Sequence, residues 1–419
     1  QERKTNMTLT NFQENLRKYA KILVTYGINV QPGQTVALSI EVEQAELARL
    51  IVKEAYALGA HEVIVLWTDE QIQYQQLLHN QLDRLEKAPD YKVSEFHYLL
   101  DKKASYLLIP SSHPEAFQNI SPDRVAKATE VYAKISQPLM MAAQSKQICL
   151  TVAAAAGKAW AQKIFPKAKD EEEATDLLWD QIFKSCKVYE DDPAAAWIAH
   201  REKLNAKAQI LNQAQFTALH YLAPGTNLTV GMPKNHRWDV VGGFNEQGNY
   251  CIANMPTEEI YSAPDFRRAD GYVSSTKPLN LNGQLIEGIH LVFKNGQIVE
   301  ATAEKGEQAI KNLIFQHEGA RHLGEVALVP DSSPISQSGI TFFHSLFDEN
   351  ASNHLAIGAA YPISLVGGEN YSEEELKAAG LNRSSVHVDF MIGSNQMDID
   401  GICPDGSQVP IFRKGEWAI

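Results

Sequence analysis

Between His317 and Tyr361 the chain carries Glu318, His322, Glu325, His344, Asp348, Glu349, His354 and Tyr361, in HEGARHLGEVALVP and FFHSLFDENASNHLAIGAAYP. Shortly after comes SSVHVDFMIGS, with His387 and Asp389 two apart. Carboxylates with imidazoles and no thiolate describe a hard to borderline metal site, suited to Zn, Co, Mn or Mg rather than to a structural Cys-type zinc. Several carboxylates also permit bridging between two ions. A pair roughly 3.5–4 Å apart suits hydrolysis, because it lowers the pKa of a shared water and holds a carbonyl oxygen. HExxH is absent, and HEGARH has one residue too many between Glu318 and His322. A thermolysin-type zinc site is therefore rejected.

Taken singly, each residue has a bland explanation. In a strand His387 and Asp389 share one face while Val386, Val388 and Phe390 pack the other, which a surface strand with a His–Asp hydrogen bond would also give. Glu325 stands at the head of an apolar strand, where a lone Glu is usually a rim residue. His354 is expected on a helix from about 350. Tyr361 then lies two turns on and faces the same way, with Glu349 at the helix start, where a charge would be ordinary. Glu258 and Glu259, in TEE on a proline-bounded loop, are further candidates, and their spacing does not choose between them. The concentration of these residues in one stretch is what favours a site.

The elements that position them fall into two halves. Strands are expected at Thr35–Ile40, Glu62–Trp67, Ser105–Pro110 and Gln147–Ala153. Helices are expected over 8–28, 43–58, about 69–86 and 121–144, the last begun by Ser121 and Pro122 in N-cap and N1 roles. Glu62–Trp67 is continuously apolar, as in a sheet covered on both faces. Four alternations of strand and helix read as a parallel doubly wound sheet. No GxGxxG follows the first strand, so nothing marks it as dinucleotide-binding. Acidic helical segments fill 169–188 and 193–215, with Glu171, Glu172, Glu173 and Asp176 as a solvated helix N-terminus. From 216 on, strands are short and turns frequent. Hairpins are expected at Asn282-Gly283 and Asn295-Gly296, a helix over Ala301–Phe315, and strand-turn-strand at the end around Asp405-Gly406 and Lys414-Gly415. The expected architecture is an α/β N-terminal domain with a mostly parallel sheet over 7–188, and an α+β catalytic domain with mostly antiparallel strands over 189–419.

The totals agree with this picture. With 419 residues and 44% hydrophobic content, the chain can bury a large core in two or three domains. A net charge of −13 and no basic patch exclude a nucleic-acid partner. Cys149, Cys186, Cys251 and Cys403 lie far apart and read as buried thiols of a reducing compartment. No apolar run reaches the roughly 18 residues of a membrane helix, and no signal peptide is visible, so a cytoplasmic location is expected. QERKTN before Met7 reads as a short tail outside the fold.

Five motifs in order, NMPTEEIYSAPD, GARHLGEVALVP, LFDENASNHLAIGAAYP, HVDFMIGS and MDIDGI...DGSQVPIFRKGEW, resemble the thermophilic-type metalloaminopeptidases, the family of aminopeptidases T and S and PepS. The similarity runs through the whole second half. It implies a cytoplasmic, dimeric enzyme that uses two divalent ions to remove N-terminal residues from peptides. By motif the implied metal ligands are Glu259, Glu325, Glu349, His354, His387 and Asp389. Glu259 is preferred to Glu258 because the family motif uses the second Glu. Tyr361 is the implied catalytic tyrosine, donating to the developing oxyanion, and Glu325 is a candidate for handling the water proton. Asn353 stands where the family often has Cys or another small residue, with no consequence for ligation. Two rivals remain at this point. Another binuclear metallohydrolase, an amidase or phosphoesterase, would be separated by substrate profiling. A non-catalytic metal-binding scaffold would bind metal yet hydrolyse no aminoacyl substrate.

Overall fold

The structure is a computed structural model. It describes residues 9–111, 113–240, 242–281 and 284–419, without the side chains of Pro122, Gln144 and Gln284. The QERKTN tail and the Asn282-Gly283 turn lie outside the described residues. By internal contacts the chain forms two compact units, one from 1–197 with 242–256, the other from 198–241 with 257–419.

The first unit is α/β. Helix α1 (Phe12–Ile22) runs into a π-helical turn that ends at Gly27, followed by β1 (Thr35–Glu41), α2 (Ala45–Ala57), β2 (Glu62–Thr68), α3 (Glu70–His79), α4 (Leu82–Leu85), α5 (Asp90–Asp101), β3 (Ser105–Ile109), α6 (Pro122–Gln144) and β4 (Leu150–Val152). The four strands form one parallel sheet in the order β2-β1-β3-β4. Central β1 is buried along its whole length. By contrast, β2 is an edge strand and mostly half-buried, so its continuous apolar run does not mark two covered faces. Helices α7 (Lys158–Ile164) and α8 (Glu171–Ser185) follow, and α9 (Pro193–Ala214) starts in this unit and belongs to the second from Ile198 on. Asp170 caps α8 through the Glu173 N–H, and Glu171 and Glu172 are exposed there, as a helix N-terminus favours, but Asp176, expected to be solvated with them, is buried.

The cysteine reading needs correction. Cys149 and Cys251 are joined as a disulfide, Cα–Cα 5.9 Å, and of the other two cysteines Cys186 is buried and Cys403 half-buried. A sequence separation of 102 hides this pairing. Residues 242–256 return to the first unit, where β8 (Gly243–Phe244) and β9 (Tyr250–Cys251) form a small hairpin.

The second unit is α+β with antiparallel strands. It contains β5 (Ala218–Ala223), β6 (Thr226–Gly231), β7 (Asp239–Val240), β10 (Ile260–Ser262), β11 (Ala269–Ser274), β12 (Leu279–Leu281), β13 (Gln284–Ile286), β14 (His290–Lys294), β15 (Gln297–Thr302), α10 (Glu307–Gln316), β16 (Leu323–Leu328), α11 (Pro334–Gln337), α12 (Ser345–Glu349), β17 (His354–Gly358), α13 (Glu373–Ala378), β18 (His387–Met391), β19 (Asp398–Ile402), β20 (Gln408–Arg413) and β21 (Glu416–Trp417). An eight-stranded sheet has the order β15-β14-β11-β6-β5-β19-β20-β21, and a five-stranded sheet the order β18-β17-β16-β10-β7. One face of each sheet enters a shared core: Leu219, Val230, Val273 and Ile399 from the larger sheet, Val326, Leu328, Leu355, Ile357 and Phe390 from the smaller. Each such side chain contributes about 1.5–3 kcal/mol on burial. That core fixes the register, since a one-residue slip would send every apolar residue to the wrong face.

The helix expected over Ala301–Phe315 begins later than its alanines indicate. Asn295-Gly296 closes a hairpin with φ of 50° and 79°, and β15 runs to Thr302 before Gly306 admits α10. Residues 350–353 are not helical either. Helix α12 ends at Glu349, and His354 opens β17. Its five residues are all buried and pair on both sides, so tertiary pairing overrides the helical appearance of ASNHLAIGAA.

Candidate metal centre

Strand register alone brings most of the candidate residues to one face. His354 stands opposite Ala327 on β16 and Met391 on β18, and Ala356 stands opposite Glu325 and Asp389. Opposed residues share a face and alternate residues repeat it. Glu325, His354, His387 and Asp389 therefore project together, while Val326, Leu355, Val388 and Phe390 turn to the core or pack against it. Tyr261 opposes Ala327, so Tyr261 and, two residues earlier, Glu259 join the same face. Glu349 ends α12 instead; it interacts electrostatically with Glu259, Asp389 and His354 but belongs to neither of the two groups below. Tyr361 follows β17, at the start of a short 3₁₀ turn, Pro362–Ser364. Its ring lies 5.0 Å from that of His387 and 6.4 Å from that of Tyr261, centroid to centroid.

The distances define two overlapping groups, Glu259–Glu325–His354 and Glu325–His387–Asp389. His354 Nε2 lies 3.1 Å from Glu259 Oε2 and 3.5 Å from Glu325 Oε1. His387 Nε2 lies 3.7 Å from Glu325 Oε2 and 3.4 Å from Asp389 Oδ1. Glu325 thus gives one oxygen to each group. The other imidazole nitrogens are committed: His354 Nδ1 donates to the Ser352 carbonyl at 3.0 Å, and His387 Nδ1 to the Ala359 carbonyl at 2.7 Å. A carbonyl cannot donate, so each Nδ1 carries the proton and each neutral ring points its Nε2 lone pair at carboxylate oxygens. Lone pair facing lone pair is repulsive unless a cation lies between them. Among the described residues, Glu259 Oε2 and Asp389 Oδ1 are buried and find no hydrogen-bond donor. Four acidic side chains around two imidazoles, with no thiolate, fit divalent cations of the Zn, Co, Mn or Mg kind.

The remaining candidates lie elsewhere. Glu258 turns away to His200, whose Nε2 is 3.5 Å from its Oε2. His322 Nδ1 bonds the carbonyls of Phe266 and Gly296, both at 2.9 Å. Asp348 accepts from the Phe342 and His344 N–H groups and organises that turn. His344 is beside Phe347, and Glu318 is exposed. Sequence reasoning missed Tyr261, although its two-residue spacing from Glu259 would have placed it on the same face had a strand been recognised there.

Without bound cations, protons must do the compensating. Burial opposes a charged His387, yet Asp389 and Glu325 outweigh it and push its pKa up to about 10. His354 is likewise raised, burial again being overcome by Glu259 and Glu325. Glu325 and Glu349 are raised by burial first and by neighbouring carboxylates next. Burial opposes ionisation of Asp389 too, but His387 and His354 hold its pKa below the usual range. A group whose folded pKa is raised stabilises fully below its unfolded value and loses that contribution as pH rises through the folded value. For His387 the window runs from about 6.5 to about 10. The chelated protein is therefore expected to melt at steadily lower temperature across that window. Bound cations replace the protons, so the gap to metal-loaded protein should widen with pH. Parallel melting curves for the two forms would contradict this electrostatic description.

The description thermophilic metalloprotease (M29) belongs to a family model that matches residues 12–417. Aminopeptidase PepS of Streptococcus thermophilus is 64% identical over 413 residues, covering 99% of this chain and 100% of that protein. Aminopeptidase T of Thermus aquaticus is 40% identical over 408 residues, covering 97% and 99%. The solved structure of wild-type AmpT from Thermus thermophilus superposes with a TM-score of 0.91 at 38% identity, covering 97% of this chain and 100% of that one.

Proposed function

Because the chain belongs to the M29 family of thermophilic metalloproteases and is a metal-dependent aminopeptidase acting on peptides, we propose that Glu259, Glu325, Glu349, His354, His387 and Asp389 hold two divalent ions at its active site. When bound, such a pair lowers the pKa of a shared water and polarises the scissile carbonyl. The observation that carries this reading is Glu325, whose two carboxylate oxygens face His354 and His387 separately. One carboxylate in both groups is the arrangement that two neighbouring cations need.

Glu325 and Tyr361 form the catalytic pair of this reading. Glu325 would give one carboxylate oxygen to each ligand group, and the Tyr361 phenol would donate a hydrogen bond to the oxygen on which charge grows. Burial, and then the surrounding carboxylates, hold the Tyr361 pKa well above its ordinary value, so the phenol keeps its proton for donation. The excess of carboxylates also suits the α-ammonium group of a peptide N-terminus. A homodimer and a cytoplasmic location are proposed from the family resemblance, and sedimentation and cell fractionation test them. Among the described residues no helix is long and apolar enough to cross a membrane.

Blocking the substrate N-terminus tests the proposal. A hydrogen bond to a charged group contributes about 1.5–3 kcal/mol, so N-acetylation of a good peptide substrate is expected to lower kcat/KM roughly ten- to a hundredfold or more. Chelation should abolish cleavage of the free peptide, and Co, Zn or Mn should restore it. Cleavage of an internal bond in the blocked peptide at the same rate would overturn the exopeptidase reading.

A further inference from the structure

Five of the six proposed ligands belong to, or lead directly into, the strands of one sheet, whose register fixes their spacing. Glu349 does not, because it ends α12. Something else must set its distance from the sheet, and Glu259, on the irregular approach to β10, needs the same support. Asn350 meets both needs. It is fully buried and caps the end of α12. Its Oδ1 accepts the Glu258 N–H at 2.7 Å, and its Nδ2 donates to the Leu346 carbonyl at 2.9 Å and lies 3.4 Å from Glu349 Oε1. Its own carbonyl accepts Ser333 Oγ at 3.1 Å, which ties the turn to α11. One side chain therefore joins the two ligand segments that no strand pairing joins.

The peptide unit it grips is also held at its other pole. The Thr257 carbonyl and the Glu258 N–H belong to one planar group. His200, on α9, brings Nε2 to 2.9 Å from that carbonyl. With both poles bonded, the plane cannot rotate, and the direction in which the chain delivers the next residue, Glu259, is set.

We propose that Asn350 is a positioning residue that fixes Glu259 and Glu349 relative to each other, with His200 as the second jaw on the Thr257–Glu258 peptide. The role rests on the two-ion reading above, yet it can fail independently. Residues that orient metal ligands typically change affinity about 10–100-fold when removed. Asn350→Ala takes away all three side-chain contacts, whereas Asn350→Asp keeps the Oδ1 acceptor for Glu258 but loses the Nδ2 donor that reaches Leu346 and Glu349.

Divalent-ion affinity is the test, read by titrating Mn into metal-free protein against a chelating dye, at temperatures where circular dichroism shows each variant folded. Asn350→Ala is expected to bind at least one ion about 10–100-fold more weakly, and Asn350→Asp, which frees the Glu349 side of the link, and His200→Ala each more weakly than wild type. Asn212→Ala is the control. Asn212 grips Trp238 by two bonds of 2.8 Å in the same unit but belongs to neither ligand group, so its loss should lower stability and leave affinity unchanged. Wild-type affinity in folded Asn350→Ala, or equal weakening by Asn212→Ala, would overturn the positioning role. If Asn350→Ala does not fold, His200→Ala and Asn350→Asp decide, and wild-type affinity in both would overturn it. A wild-type protein that binds no Mn, Zn or Co would instead refute the two-ion reading.

Discussion

Glu325→Ala is expected to lose metal and activity together, and by more than any other single substitution in the site. The residue supplies an oxygen to both ligand groups, so one change removes a ligand from each. Breaking a buried charge cluster by deleting one partner typically costs about 3–5 kcal/mol, which for affinity is roughly 10²–10³·⁵-fold. Hydrolysis should fall at least that far at any ordinary metal concentration. The metal-free form should behave oppositely. There Glu325 is one of several mutually repelling carboxylates, so its removal should leave the melting temperature of chelated protein unchanged or higher. Glu171 and Glu172, exposed at the start of α8, are the control acids, and their alanine variants should keep wild-type activity and metal. Equal losses from Glu325→Ala and the controls would erase the distinction between site and surface.

Tyr361→Phe is expected to separate chemistry from binding. The ring is seated beside His387 and against Tyr261, contacts that Phe preserves. Only the hydroxyl is lost. A fixed donor to a developing oxyanion stabilises the transition state more than the ground state, and removing one typically costs about 10²–10³ in rate. We therefore expect kcat to fall by that factor, with KM little changed, both metals retained and thermal stability near wild type. A tyrosine that only packs would give wild-type kcat and at most a lower melting temperature.

The same residue shows how much of the site was legible in the sequence. Its neighbourhood with His354 was expected from two turns of helix, but the segment between them is a buried strand and a turn. The apolar alternation of VHVDFM gave the correct face for His387 and Asp389, because period two is specific to strands. HLAIGAAY has no such alternation. Both faces of β17 are buried, so its small and apolar residues fit a helix as readily. The parallel sheet of the first unit was readable because each strand is bounded by clear helices. The Cys149–Cys251 pairing was not, since nothing local in either segment marks the return of 242–256. Asn350 and His200 were equally hidden. Their role lies in bonds to a backbone unit distant in sequence, and neither side chain carries a motif.

The central claim is that Glu325 stands between two cations. Anomalous diffraction from crystals of the chain soaked in Mn or Zn measures this directly. Two peaks per chain are expected, roughly 3.5–4 Å apart, one beside Glu259 and His354 and the other beside His387 and Asp389, with a Glu325 oxygen on each. A single peak at saturating metal, or two peaks with Glu325 touching neither, would contradict the account.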